Sequence, residues 1–280
     1  MLQRGASGGA GTGGLTKVPL VNAAEARYKA RRPNLLQQRR PPARHVSSRR
    51  ITPHRITVVL TRDAIKNGFI DRMIDARGGY PGRWTERQIV DCYTGMLAEA
   101  PPGDVWVFGY GSLIWNPCIE VAELKRARLH GYHRRFCLWT HLGRGSPECP
   151  GLMLGLVPGG TCGGVALRIA RASAEAEFDI LFRREMVSGS YDPRWVTVRI
   201  DGVKGPVKAL CFLMNRAHDR YAGKLGEAVV ADAIAKAAGP LGACRDYLDQ
   251  TVASLDALGI HDGPMKRLQS MVKARLAAAP

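Results

Sequence analysis

Apolar residues recur at helical spacing in the first part of the chain that resembles folded sequence. Asp63 is placed to cap a helix that continues through Met73, and Thr85 is placed to cap a second helix. The Pro-Pro-Gly run at 101–103 ends the second helix. We therefore predict a helical extension over residues 56–103, packed on the domain that follows it.

From residue 104 onward the pattern changes to short apolar runs separated by glycines. The run at 105–108 is apolar throughout, which is typical of a buried strand, and it stops at a glycine. The same criteria predict further strands at 124–140, 151–157, 162–170, 194–201 and 206–214, and helices at 173–187, 226–238, 241–258 and 264–276. Strands grouped together with helices around them, without regular strand–helix alternation, indicate an α+β fold.

The helix predicted at 173–187 carries a carboxylate, Glu185, on its apolar stripe. At about 100° per residue, this stripe also contains Ala174, Phe178 and Leu181. Burial and the negative end of the helix dipole both disfavour an ionised carboxylate, so both raise its pKa toward the range that a general acid/base needs. A side chain that reaches solvent, or one that pairs with a neighbouring arginine, is the structural alternative, and the sequence leaves it open.

The first predicted strand ends in a glycine loop, Gly109-Tyr110-Gly111-Ser112, followed by Leu113 and Ile114. Glycines permit backbone conformations closed to other residues, and successive N–H groups in such a turn can form an anion-binding concavity. The loop lacks the third glycine of a dinucleotide fingerprint, the Gly-Lys-Ser/Thr of a phosphate loop and the Gly-x-Ser-x-Gly of a hydrolase. The loop is a candidate binding site for a small carboxylate or phosphate, and a tight turn without a ligand is the alternative.

The charge of the chain raises a nucleic-acid hypothesis, because 41 Lys and Arg against 24 Asp and Glu give a formal net charge of +17. Residues 1–55, however, hold twelve basic residues and one acidic residue, so the other 225 residues carry only +6. The Gly-, Pro- and Arg-rich composition predicts a disordered basic tail at 1–55. A start placed too early in the sequence and an organelle-targeting segment remain as alternatives.

Cysteine usage and hydropathy predict where the protein resides. The seven cysteines are scattered, no signal-peptide pattern precedes them, and no apolar run approaches about 18 residues, so we expect a cytoplasmic protein without a membrane span. His130 and His133 lack a third ligand at metal spacing, which disfavours a zinc site. A Cys–His nucleophilic pair stays a minor alternative.

The segment 105–117, Val-Trp-Val-Phe-Gly-Tyr-Gly-Ser-Leu-Ile-Trp-Asn-Pro, closely resembles the opening motif of the ChaC-type γ-glutamylcyclotransferases. Later stretches agree in the same order, at 131–137, 143–145, 163–166, 184–186, 189–191 and 238–242. The family's Gly-Gly-Tyr element is here Gly-Ser-Tyr. The resemblance spans roughly 104–275, so it predicts a catalytic domain over 104–280 and implies a small mixed β-barrel with surrounding helices.

The resemblance also implies a reaction and its residues. Glu185 matches the Glu that carries out the proton transfers, and the matching substrate-binding residues are Gly109, Tyr110, Gly111, Ser112, Leu113, Ile114, Tyr191 and Tyr221. The implied reaction converts glutathione to 5-oxoproline and cysteinylglycine, and it needs no metal or organic cofactor.

Two other functions remain open from the sequence: cyclotransfer on other γ-glutamyl amines or dipeptides, and a nucleic-acid-binding or adaptor protein on an inactive cyclotransferase fold. The two cyclotransferase hypotheses, on glutathione or on another γ-glutamyl compound, require only a small-molecule partner. None of the three hypotheses determines the oligomeric state. Deleting residues 1–55 separates the classes. We expect a cyclotransferase to keep its rate of 5-oxoproline formation, whereas a nucleic-acid binder loses most of its salt-dependent affinity.

Overall fold

The structure is a computed structural model that describes residues 60–278, which lie within one compact unit. The tail predicted at 1–55 lies outside these residues. The helices are α1 Arg62–Lys66, α2 Phe69–Asp75, α3 Glu86–Ala98, α4 Ala174–Glu185, α5 Glu227–Lys236, α6 Cys244–Ala257 and α7 Gly263–Ala277, with short 3-10 turns at Ser112–Ile114 and Arg171–Ser173. The strands are β1 Val105–Gly109, β2 Glu123–Thr140, β3 Gly151–Ile169, β4 Tyr191–Ile200, β5 Pro206–Met214, β6 Ala238–Gly239 and β7 Gly242–Ala243. In this described part, no helix combines the length and hydropathy that a bilayer crossing requires.

Five strands close into a barrel in the order β1-β3-β2-β4-β5. Strands β1 and β5 close it as a parallel pair, and the other neighbours are antiparallel. The remaining strands, β6 and β7, form a separate two-stranded sheet. These features confirm the predicted α+β class and the small mixed barrel that the family resemblance implied.

The strands predicted separately at 151–157 and 162–170 are one continuous strand, β3, so that prediction was wrong. Two glycines between the apolar runs, Gly159 and Gly160, led to the prediction of a strand end. Their φ angles are 101° and 74°. In the structure they lie at an irregularity between β2 and β3, where the register shifts between His130 and Tyr132. The ladder continues on both sides, so the two strands bend together as one long hairpin.

The N-terminal helices also differ in part from the prediction. A single helix from Asp63 to Met73 was wrong: α1 and α2 are separated at Gly68, whose φ of +68° is incompatible with a continuing helix. Thr61, rather than Asp63, is the N-cap of α1. The predicted cap of α3 is confirmed, because Thr85 forms a capping box with Gln88.

Helix α4 lies between the barrel and the N-terminal helices. Its Phe182 ring contacts Phe212 of β5 at 5.3 Å and Tyr93 of α3 at 6.2 Å, measured between ring centroids. The predicted apolar stripe is confirmed: Ala174, Phe178 and Leu181 are all buried. Because α4 is covered from two directions, more of its surface is buried than one stripe can account for.

The second covered side of α4 holds a carboxylate that the sequence analysis did not identify. Glu177 is 1% exposed, and both of its carboxylate oxygens accept hydrogen bonds from the guanidinium of Arg62 in α1. Its Oε2 also accepts the backbone N–H of Glu120 at 2.9 Å. This buried ion pair joins α1 to the helix that lies against the barrel.

Candidate functional site

Two adjoining cavities meet at the end of α4. The inner chamber, of about 40 Å³, is lined mainly by residues 110–113 and by the barrel strands. The outer chamber, of about 210 Å³, opens beside it. Both chambers are lined by Ser112, Met153, Glu185, Tyr191 and Tyr247. The predicted general acid/base therefore lies where the two chambers adjoin.

Glu185 is the last residue of α4, and its side chain is 16% exposed. Its Oε1 forms an ion pair with Nε of Arg184 at 2.9 Å. Burial raises the pKa of Glu185, and the charge and hydrogen bond of Arg184 offset part of that rise. The carboxylate is thus largely buried on the apolar side of the helix, as predicted, and it also has the arginine partner that the sequence left open.

Arg184 connects this carboxylate to the glycine loop. Its Nη2 donates to the hydroxyl of Ser112 at 2.6 Å, and its Nη1 donates to the backbone carbonyl of Asn116. One planar guanidinium therefore contacts the carboxylate and both ends of the turn that follows β1. Such a fork restricts the position of Glu185 relative to Ser112.

The glycine loop has backbone donors that remain available. The carbonyls of Gly111 and Ser112 accept the turn's hydrogen bonds, but within residues 60–278 no backbone hydrogen bond is donated by the N–H groups of Gly111, Ser112 or Leu113. On the other side of the loop, Nη1 of the buried Arg134 donates to the Tyr110 carbonyl at 2.6 Å. Arg134 thus fixes the loop through a backbone carbonyl. The three N–H groups remain available to bind an oxyanion or a carboxylate.

Two buried tyrosines, Tyr110 and Tyr247, and the partly buried Tyr191 lie around the carboxylate, and none of them is suited to act as a base. The Tyr110 hydroxyl donates to the Phe212 carbonyl and the Tyr191 hydroxyl donates to the Leu154 carbonyl, each at 2.8 Å. Burial raises the pKa of Tyr110, Tyr191 and Tyr247 above the usual range of a phenol. All three are therefore protonated near neutral pH, which leaves Glu185 as the candidate proton acceptor.

Some of the predicted site residues are not brought to the chambers. Gly109 ends β1, paired with Val165 of β3, and Ile114 is buried in the core between the barrel and α4. Tyr221 forms an isolated bridge with Leu138 and packs among neighbouring core residues. None of these three lines either chamber. Their role in substrate binding stays a prediction.

Other residues of the site were missed by the sequence analysis. Tyr247 comes from α6, and a hypothetical Cβ on Gly111 would lie 2.7 Å from its hydroxyl, so the ring closes over the glycine loop. Arg144 and Arg220 line the outer chamber. Arg144 lies in the Gly-Arg-Gly stretch at 143–145, which is part of the family resemblance, so the sequence could have indicated it. No sequence pattern indicated Arg220.

The N-terminal extension supplies one wall of the outer chamber, through Ile70 and Met73 of α2 and through Leu60 and Tyr80, which lie outside the helices. The turn between α2 and α3 also holds the loops that flank this chamber. Arg77 donates to the His141 carbonyl at 2.7 Å, and the Trp84 N–H donates to the Val187 carbonyl at 2.9 Å. The helical extension is therefore part of the candidate site.

Cysteine and metal chemistry find no support at this site. None of the seven cysteines lines either chamber. Burial raises the pKa of Cys137 to about 12 and those of Cys162 and Cys244 to about 11, which is the opposite of what a nucleophilic thiolate needs. Across residues 60–278, no group of three or more His, Cys, Asp or Glu side chains is placed to hold a metal ion.

Comparison with known proteins identifies the family. The model of the ChaC-like protein family matches residues 105–275. A glutathione-specific γ-glutamylcyclotransferase of Escherichia coli is 40% identical over 195 residues, which cover 69% of this chain and 84% of that protein. A human protein of the same name, numbered 1, is 31% identical over 153 residues, covering 54% of this chain and 69% of its own.

Solved structures agree on the fold. A crystal structure of a glutathione-specific γ-glutamylcyclotransferase from yeast matches with a TM-score of 0.57 and 21% identity, covering 61% of this chain and 96% of that one. At this level of identity the likeness concerns the fold alone. The family match over residues 105–275 and the 40% identity to the bacterial protein show that the chain belongs to the ChaC-like family.

Proposed function

We propose that the protein is a glutathione-specific γ-glutamylcyclotransferase, a cofactor-independent lyase that converts glutathione to 5-oxoproline and cysteinylglycine. The observation that carries this proposal is the largely buried carboxylate of Glu185, whose pKa is raised by burial, beside loop N–H groups that donate no backbone hydrogen bond within residues 60–278. The names and the extent of identity of the bacterial and human relatives support the choice of glutathione.

The proposed reaction uses a nucleophile that the substrate already contains. The α-amine of the γ-glutamyl group attacks its own γ-carbonyl, a new C–N bond closes a five-membered lactam, and the C–N bond to cysteine breaks. Well-oriented intramolecular attack reaches effective molarities of about 10⁵–10⁸ M. The enzyme therefore has to fold the γ-glutamyl chain and move protons, and a small inner chamber beside the acid/base group suits the first task.

Glu185 is proposed to move the proton. An α-amine with a reference pKa of about 8 is mostly an ammonium ion at neutral pH and is not nucleophilic in that form. The carboxylate accepts its proton and then returns it to the departing amide nitrogen. A raised pKa brings Glu185 closer to the operating pH, which favours both the uptake and the return of the proton.

The glycine loop is proposed to stabilise negative charge. Its free N–H groups at Gly111, Ser112 and Leu113 can bind the α-carboxylate of the γ-glutamyl group or the oxyanion that develops on its carbonyl. Arg184, which contacts both Ser112 and Glu185, restricts the position of these donors relative to the carboxylate. We propose the same binding role for Tyr110 and Tyr191, whose rings form the wall of the inner chamber.

The test is to incubate the purified full chain with glutathione and to measure 5-oxoproline and cysteinylglycine. Equal amounts of the two products are expected. A γ-glutamyl amine and γ-glutamyl dipeptides, assayed in parallel, distinguish glutathione specificity from broader cyclotransfer. Absence of 5-oxoproline from glutathione across a range of pH would contradict the proposed function, and faster turnover of another γ-glutamyl compound would contradict the specificity.

A further inference from the structure

The outer chamber has an excess of positive charge. Its charged lining residues are the guanidinium groups of Arg144, Arg184 and Arg220 and the carboxylate of Glu185. Arg184 is paired with Glu185, so the only acid among the described lining residues is already compensated. The other two guanidinium groups have no counterion among these lining residues.

Arg144 and Arg220 are buried cations, 9% and 8% exposed. Within residues 60–278, neither forms a salt bridge with a carboxylate; each donates to a backbone carbonyl, that of Ala243 for Arg144 and that of Trp139 for Arg220. Each guanidinium also lies over a tyrosine ring, that of Tyr247 or that of Tyr80. These contacts orient the two guanidinium groups but leave their charge without an anionic partner.

A buried charge without a counterion is costly, and here an unfilled donor accompanies it. Nε of Arg220 has no hydrogen-bond partner within residues 60–278, and Nε1 of Trp115, which also lines the outer chamber, has none either. Burial lowers the pKa of Arg144, and the charges of nearby groups, Asp246 among them, offset part of that decrease. Two buried guanidinium groups that line one chamber without a salt bridge indicate a site for an anion.

The position of these groups indicates which part of a substrate they contact. Neither Arg144 nor Arg220 lines the inner chamber, whose described lining contains no Lys or Arg. If the γ-glutamyl group is cyclised there, the group that departs extends from Glu185 into the outer chamber. In glutathione the departing group is cysteinylglycine, and its only anionic group is the carboxylate of its glycine.

We propose that the outer chamber is a subsite for the C-terminal carboxylate of the departing peptide, with Arg144 and Arg220 as its binding residues. This inference rests on the proposed cyclotransferase function and adds the physical basis of its specificity. Guanidinium–carboxylate contacts are charge-assisted and directional. The subsite selects γ-glutamyl peptides with a free terminal carboxylate and disfavours γ-glutamyl amines and amidated peptides, which would leave both cations buried and unpaired.

The first experiment compares glutathione with its glycine amide on the unmodified protein. The amide has nearly the same size but lacks the terminal charge. A lost hydrogen bond to a charged group corresponds to about a 10- to 100-fold loss, so kcat/KM for the amide is expected to fall by that factor. Cysteinylglycine is likewise expected to inhibit the enzyme better than its amide does. Equal kcat/KM values and equal inhibition would overturn the proposal.

The second experiment assigns the effect to residues. Arg144→Gln and Arg220→Gln are each expected to lower kcat/KM for glutathione while changing that for the amide little, so that the preference for the free carboxylate decreases. Arg128→Gln is the control, because Arg128 is exposed on β2, outside both chambers, and its replacement makes the same charge change. Thermal unfolding of each variant verifies that the fold is retained.

The outcomes distinguish the two proposals. If the arginine variants lower the rates for both substrates equally, the two residues are structural and the subsite is wrong, while the cyclotransferase function stands. If the unmodified protein forms 5-oxoproline from neither substrate, the function itself is wrong. A decrease of the preference in Arg128→Gln would show that the effect reflects the overall charge of the protein.

Discussion

Glu185→Gln is expected to slow 5-oxoproline formation by about 10²–10⁴-fold, the usual contribution of a positioned acid/base group. Glutamine has the same shape as glutamate and its carbonyl still accepts from Arg184, so the connection to the glycine loop survives while proton transfer is lost. The measurement is kcat at saturating glutathione, and KM is expected to change little. Glu175→Gln is the control, because Glu175 is an exposed carboxylate near the start of the same helix.

The pH dependence supplies a second readout for Glu185. The base must be ionised to accept a proton, so kcat/KM is expected to fall as the pH drops through the pKa of Glu185. Because burial raises that pKa, the fall begins at a higher pH than for an ordinary glutamate. The Gln variant is expected to lack this acid limb. Full activity of the variant, or an unchanged acid limb, would contradict the assignment.

Arg62→Met is expected to lower the free energy of unfolding by about 3–5 kcal/mol, the cost of leaving one member of a buried ion pair alone. Its partner Glu177 is 1% exposed and would remain as an uncompensated carboxylate beneath α1. Urea unfolding measures the change. The large effect follows from the burial of Glu177, since salt bridges at the surface contribute little.

Two comparisons isolate the buried pair. Arg87→Met removes an arginine from α3, where its pair with Asp91 is exposed, and we expect a loss below about 1 kcal/mol. Adding Glu177→Met to Arg62→Met is expected to recover a good part of the lost stability, because the stranded charge is removed as well. The recovery is partial, since the Glu120 N–H also loses its acceptor. Strictly additive effects of the two substitutions would contradict this account.

The fold was predictable from sequence where the hydrophobic periodicity and the turn-forming residues indicate the same element boundaries. The β5 strand and the helix that ends at Glu185 were found because their apolar patterns are long and clearly bounded. The β2–β3 hairpin was only partly found, because Gly159 and Gly160 mark a bulge inside β3 with the same residues that mark a turn. A local pattern cannot distinguish the two, since the partner strand decides whether the ladder resumes.

The parts of the site that could be predicted from sequence are those within the glycine-loop motif and on the apolar stripe of α4. Glu185 and Ser112 are 73 positions apart in sequence, and each was found from its own local pattern. Their connection through Arg184 depends on how α4 lies against the turn after β1, which no local pattern encodes. Glu177 escaped notice for a related reason: its side of α4 is buried by α1, and periodicity within one helix does not show what covers its other side.

The two carboxylates of α4 impose opposite constraints on how this sequence can diverge. Glu185 has a raised pKa, so its contribution to stability is present at low pH and is lost as the pH rises through that pKa. A lineage released from selection for activity could replace it by glutamine, which still accepts from Arg184 and avoids an ionised buried carboxylate near neutral pH. Arg184 would keep the Ser112 hydroxyl and the Asn116 carbonyl as further acceptors. Glu177 and Arg62 must instead change together, because either change alone strands a charge. In relatives that have lost activity, we therefore expect Glu185 at the end of α4 to be replaced first. The Arg62–Glu177 pair that joins α1 to this helix is expected to be retained.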